Sequence, residues 1–144
     1  MMKIIALSSV SLLLVGCSSL GEEDACEEVR SGNLQVLELV NEALDTTYPK
    51  WGSVRDTMDT DLQWDFADKI DELTEKMEAL RIGDPLIGAS RTSFTETYRD
   101  FTVHLRGAGI VSSDDGLWEI WTNRTWDNLE ELPAAFDTLA IRCF

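Results

Sequence analysis

Residues 61–80 read DLQWDFADKIDELTEKMEAL, and their periodicity decides the fold class. The apolar residues Leu62, Phe66, Ile70, Leu73, Met77 and Leu80 recur at a mean step of 3.6, the period of an α-helix. Between them Asp61, Asp65, Asp68, Glu72 and Glu75 step 4, 3, 4, 3. At 100° per residue the centre of this acidic row lies roughly 130° from the apolar stripe. One face is therefore built for a core and another for water. Lys69 and Lys76 follow Asp65 and Glu72 by four residues, the spacing at which ion pairs support a helix. Upstream, Trp51, Val54 and Met58 keep the same beat. The pattern predicts a helix from about Pro49 to Arg81, with Pro49 at a tolerated first-turn position and a break near Asp59-Thr60-Asp61.

Three further helices are expected on either side. The first spans about Asp24 to Asp45 and buries Cys26, Val29, Val36, Leu37, Val40, Ala43 and Leu44, with Gly32 as an interruption. Residues 82–89 contain Gly83, Asp84-Pro85 and Gly88 and read as a loop. Phe94, Tyr98, Phe101, Leu105 and Ala108 form the next stripe, with Ser93 and Glu96 spaced as a capping box and Gly107 and Gly109 as its end. Ser113-Asp114-Asp115 would cap the last helix. Its stripe is Trp118, Trp121, Thr125, Leu129, Leu132, Phe136, Leu139 and Cys143. That stripe keeps phase through Pro133, which predicts a kinked helix or two short helices in line. No run of alternating β-branched residues marks a strand. The expected architecture is all-α: an antiparallel four-helix bundle over 24–144, with a looser orthogonal helical domain as the alternative.

The chain has 144 residues, of which 27 are acidic, 12 basic, one His and three Cys, for a formal net charge of −15. That length holds one domain. The charge excludes a nucleic-acid binder, which needs a basic footprint. One His and no clustered Cys leave little for a transition-metal site. At 44% hydrophobic the chain is too apolar for wholesale disorder.

The N-terminus reads as an address. Met1-Met2-Lys3 precedes an apolar run from Ile4 to Val15, then Gly16-Cys17-Ser18-Ser19. A short basic leader, an apolar run and small residues make a secretory signal, and the run is too short to span a bilayer stably. Leu14-Val15-Gly16-Cys17 resembles the lipobox of bacterial lipoproteins. The resemblance covers about the first twenty residues. It implies removal of 1–16, with Cys17 becoming the first residue and carrying a diacylglycerol and an N-acyl chain such as palmitate. A Cys is needed because its thiolate readily forms the thioether. Several acyl chains make such an anchor effectively permanent. Ser18, rather than Asp, implies sorting to the outer membrane, facing the periplasm or the cell surface. Residues 17–23 would be a tether. The stretch from Ser18 to Ala25 would reach at most about 28 Å at roughly 3.5 Å per residue.

With Cys17 acylated, Cys26 and Cys143 remain as an even pair in an oxidising compartment. One opens the first helix and the other closes the last. Those ends meet in an antiparallel bundle only if the number of helices is even. A disulfide is expected, against the alternative of two buried thiols; no Cys-x-x-Cys spacing points to redox catalysis.

Catalytic signatures are missing. His104 flanks an apolar stripe, where a satisfied boundary histidine is the commoner reading. Gly88-Ala89-Ser90-Arg91 lacks the closing glycine of a nucleophile elbow. Counting an EF-hand from Asp59 puts Trp64 and Ile70 where Gly and Glu are required. Met58 or Met77 with His104 would be a haem pair, though both methionines fall on the core beat. No enzyme, metal or cofactor beyond the lipid is expected.

Three large apolar residues break phase: Trp64, Trp126 and Val103. Trp is enriched at binding hot spots, against the alternative that a covering segment buries them. Each carboxylate of the row 61–75 alone is a solvated residue, but the excess of acid over base would steer a basic partner. The expected function is a lipid-anchored protein binder with Trp64, Trp126, Asp61, Asp65, Asp68, Glu72 and Glu75 as contacts. An envelope accessory protein of the pilotin kind fits by architecture only. An immunity or inhibitor lipoprotein against a basic toxin or wall hydrolase is one alternative; a small-molecule or haem-binding bundle is another.

Overall fold

The computed structural model describes residues 19–47, 60–111, 123, 127, 129, 130 and 132–144. Among them are four helices and no strand: α1 (Glu22–Thr47), α2 (Thr60–Glu78), α3 (Pro85–Val111) and α4 (Leu132–Cys143). The chain is all-helical over these residues, as its periodicity requires.

α2 buries Phe66, Ala67, Ile70 and Met77, with Leu62, Leu73 and Leu80 partly buried against the same core. The expected continuation of this helix upstream lies outside the described residues. Its C-terminal end is closed from another helix. Arg91 Nη1 donates to the carbonyls of Met77, Glu78 and Leu80 at 3.3, 2.7 and 3.5 Å, supplying donors to carbonyls that have no partner within the helix.

α3 differs from expectation at both ends. It starts at Pro85, not after Ser93, because Asp84 caps it. Asp84 Oδ1 accepts from the amides of Leu86 and Ile87 at 2.9 and 3.1 Å. Pro85 then takes the first helical position, where its missing N–H costs nothing. Asp-Pro read as a loop signal was in fact a helix start. Ser93 and Glu96 are exposed mid-helix residues, so they form no capping box. The helix also continues through Gly107 and Gly109.

α1 runs past both of its expected ends. Glu22, Glu23 and Asp24 occupy its first turn, where negative charge suits the helix dipole. Gly32 is no mere interruption. A Cβ there would stand 2.8 Å from Met77 Cγ, so the absent side chain lets Met77 of α2 pack against α1.

α4 carries Pro133 in its first turn, preceded by a turn at Glu130. Most of the upstream half of the expected last helix lies outside the described residues, including its cap at Ser113, Trp118, Trp121 and Trp126.

The core joins all four helices. α3 contributes Ile87, Phe94, Tyr98, Phe101 and Leu105, each fully or almost fully buried. Phe94 meets Phe136 of α4 edge-on, with ring centroids 5.1 Å apart, a favoured aromatic geometry. Burial of a side chain of this size stabilises the fold by about 1.5–3 kcal/mol.

Cys26 and Cys143 form a disulfide with Cα atoms 5.7 Å apart and 117 residues between them in sequence. Around it the start of α1, the 81–84 segment and the end of α4 gather at one end of the molecule. The amide of Leu20 donates to the Arg81 carbonyl at 2.7 Å, and Leu20 bridges Ile82. Arg142 contacts Glu22 at 2.6 Å and Asp84 at 2.7 Å. Leu20 is thus held against the 81–82 segment, and α1 begins two residues later at Glu22.

Candidate functional site

The acidic row of α2 faces outward, as its phase predicts. Asp61, Asp65, Asp68, Glu72 and Glu75 are all exposed. Most of them are already engaged. Asp65 pairs with Lys69 and Glu72 with Lys76, each at 2.8 Å. Asp68 Oδ1 accepts from Arg106 at 2.6 Å, and Glu75 lies 3.8 Å from Arg99. The two lysine pairs are those expected from the i, i+4 spacing, and the contacts of Arg106 and Arg99 add to them. Seven carboxylates of α2 stand against Lys69, Lys76, Arg99 and Arg106, so the face keeps a negative excess.

The centre of this face is Asp71, which the row of five skips. Its Oδ1 accepts from Arg99 at 3.0 Å and from the Thr102 hydroxyl at 2.9 Å, and its Oδ2 accepts from Arg106 at 2.6 Å. Arg99 also holds Glu78, through Nε at 3.2 Å and Nη2 at 2.8 Å. The bidentate fork suits guanidinium chemistry. Because Arg99 meets Glu78 and Asp71 while Arg106 meets Asp71 and Asp68, α2 and α3 run in opposite directions along this seam. Arg99, Thr102 and Arg106 step 3 and 4 along α3, a helical row visible in the sequence but passed over in favour of the apolar one.

The electrostatics follow these contacts. The hydrogen bond from Arg99 holds the Glu78 carboxyl below its usual range, against burial, which pushes it up. Lys76 does the same for Glu72, and the hydrogen bond to Asp65 raises Lys69. Arg99 is raised mainly by Glu78. Every one of these shifts favours the charged form. Both oxygens of Asp71 are occupied by donors, so the cluster clamps α2 to α3.

Trp64 sits at the edge of this clamp and is 52% exposed. The Arg106 guanidinium carbon lies 5.5 Å from its ring centroid, within cation–π range. Val103, the second phase-breaking residue, is also exposed. Trp126 and Cys17 lie outside the described residues.

His104 Nδ1 donates to the Asp100 carbonyl at 2.7 Å. Met77 is buried against Gly32. Among the described residues, no three His, Cys, Asp or Glu side chains are placed to hold a metal ion. No helix among them is long and apolar enough to cross a membrane. A cleft of about 280 Å³ between α3 and α4 is lined by Ser93, Ala134, Ala135 and Thr138, none of which ionises near neutrality.

No family model, curated protein or solved structure matches the chain.

Proposed function

We propose that this chain is a lipid-anchored helical protein that binds another protein at the periplasmic side of an outer membrane. Cys17 carries the anchor, and the helices form an up-down-up-down antiparallel bundle. The opposed run of α2 and α3, together with the disulfide joining the start of α1 to the end of α4, supports that topology.

One observation carries the binding reading. Trp64 is half exposed on a helix whose apolar stripe is elsewhere, and its ring lies beside the Arg106 guanidinium that also holds Asp68. Arg106 and Asp68 order the ring's surroundings, which lowers the entropy cost of using it as a contact. The partner is a protein with a basic surface that sets a cation or an aromatic ring on the free part of Trp64. Since four of the five carboxylates in the row already have cations, recognition rests more on the Trp64 surface than on free charge. Trp126 belongs to this proposal on sequence alone.

The test is a photo-crosslinking residue at position 64 of the full chain in its native envelope, with a control at Glu38 on α1. The expected result is a discrete protein adduct at 64 that weakens in high salt and is missing at 38. Equal labelling at both positions, or none at 64, overturns the reading.

A further inference from the structure

Among the described residues the exposed large apolar side chains are Leu34, Trp64, Leu86, Val103, Ile141 and Phe144. Three of these six lie at one end of the molecule. Leu86 is in the first turn of α3, and Ile141 and Phe144 close α4 at 81% and 84% exposure. The two turns are tied together by the contact of Arg142 with Asp84. This is also the end at which the chain enters the fold. Leu20 packs partly on the core and is held by Arg81 and Ile82. Ser19 passes so close to Gly83 that a Cβ there would stand 3.0 Å from the Ser19 hydroxyl.

Chain length then fixes the distance to any anchor. Three residue steps lead from Cys17 to Leu20, a reach of at most about 11 Å at roughly 3.5 Å per residue. The 28 Å span expected from an unstructured run to Ala25 does not exist. The polar headgroup layer of a bilayer leaflet is itself about 5–8 Å deep. A glycerol linked to Cys17 would lie at the base of that layer, so even a fully extended connection leaves Leu20 only a few ångströms beyond the headgroups.

We infer that the end formed by Leu86, Ile141 and Phe144 is a membrane-contact surface that rests in the headgroup layer beside the Cys17 anchor. This rests on the lipid-anchor reading above and adds an orientation to it. The lipid surface is zwitterionic. Arg142 neutralises Glu22 and Asp84 only in part, and Glu23 and Asp24 are exposed beside them, against Arg81 and an Arg91 whose guanidinium is turned onto the carbonyls that close α2. An anionic leaflet would repel such an end. The acidic face of α2 and Trp64 are then left free along the side of the bundle.

The test uses the full acylated chain in vesicles of phosphatidylethanolamine and phosphatidylcholine containing a photoactivatable lipid. The intact mass of the N-terminal peptide from the same sample reports acylation of Cys17. With Cys17 acylated, cross-links are expected on Leu86, Ile141 and Phe144. They should fall at least fivefold in the triple variant Leu86→Ser, Ile141→Ser, Phe144→Ser. The variant Leu34→Ser, Val103→Ser should keep the parental pattern. All three substituted residues are exposed, so the melting temperature should hold. Replacing half of the lipid with phosphatidylglycerol should lower the yield. Cross-links confined to residues before Leu20, or spread evenly along α1 and α3, overturn the orientation while leaving the anchor intact. So does a higher yield on anionic lipid, or a contact joining Phe144 of two chains. An unacylated Cys17 overturns the anchor and the orientation together.

Discussion

Arg106 Nη1 lies 2.6 Å from Asp71 Oδ2, in a contact that is 23% exposed on the arginine side chain and 19% on the aspartate. The other arm of the same guanidinium reaches Asp68, whose side chain is 71% exposed. One arginine therefore makes a shielded and an open ion pair at once, and the two should differ in worth. An exposed pair contributes about 0–1 kcal/mol. A partly buried carboxylate with two guanidinium partners and a hydroxyl contributes more, because its loss leaves those donors unpaired. Asp71→Asn is expected to lower the unfolding free energy by about 1–3 kcal/mol, and Asp68→Asn by less than about 1 kcal/mol. Urea unfolding of the two variants checks this. Equal losses would mean that shielding does not matter along this seam.

The disulfide between Cys26 and Cys143 encloses 117 residues of sequence separation. A loop of that length restricts the unfolded chain strongly, for a contribution near 4.7 kcal/mol in the chain-entropy view, with real bonds often giving about 2–4 kcal/mol. α4 has only twelve residues and adds Leu132, Ala135 and Leu139 to the buried core, so it relies on the staple more than the longer helices do. The double variant Cys26→Ala, Cys143→Ala should lose about 2–4 kcal/mol. Hydrogen exchange in α4 should rise before exchange in α3. Uniform protection across both helices would show that the bond serves the whole fold equally.

The sequence carried the helices whose apolar stripes are regular and left unread the devices that join them. Ile70, Met77, Phe94, Tyr98 and Phe101 keep strict phase, and all are buried. Both disulfide cysteines were legible as an even pair, one near the start of the first helix and the other at the end of the last. What escaped were contacts between helices. Asp84 caps α3 through its neighbours' amides, Arg91 closes α2 from α3, and Asp71 binds two arginines of α3. A periodicity argument treats each helix alone. It sorts Asp71 and Arg99 as polar residues of two solvated faces, and the register that brings them together is a tertiary property. Trp64 was visible as a break in phase, but its neighbour Arg106 lies 42 residues further along the chain, in no local pattern.

Asp84 provides a pH prediction whose sign can be worked out. Its carboxyl is held below its usual value first by the Arg142 hydrogen bond, then by the amide of Ile87, against desolvation. The folded state therefore binds fewer protons than the unfolded state as pH falls past the ordinary carboxylate range. The stabilising contribution is whole above about pH 4 and is lost as pH drops through the lower folded value. Asp84→Asn keeps a good helix cap and removes the charge. It should lower stability near pH 7 and flatten the fall below about pH 4. Urea midpoints measured from neutral pH into acid check both parts. A variant curve parallel to the parent throughout would show that Arg142 adds nothing to the cap.

Tyr98 and Asn33 are both fully buried, and the Tyr98 hydroxyl donates to Asn33 Oδ1 across the core from α3 to α1. Burial pushes the Tyr98 hydroxyl well above its ordinary pKa, which favours the neutral, donating form. Among the described residues Asn33 Nδ2 has no hydrogen-bond partner, so this bond is the chief compensation for burying the amide. Tyr98→Phe removes it and strands a second atom of Asn33, with an expected loss of about 1–3 kcal/mol. Asn33→Leu combined with Tyr98→Phe removes both polar groups at similar volume, and should recover most of that loss. The double variant thus removes the buried hydrogen bond that joins α1 to α3. A double variant less stable than Tyr98→Phe by itself would show that the amide makes its contribution through shape rather than through the hydrogen bond.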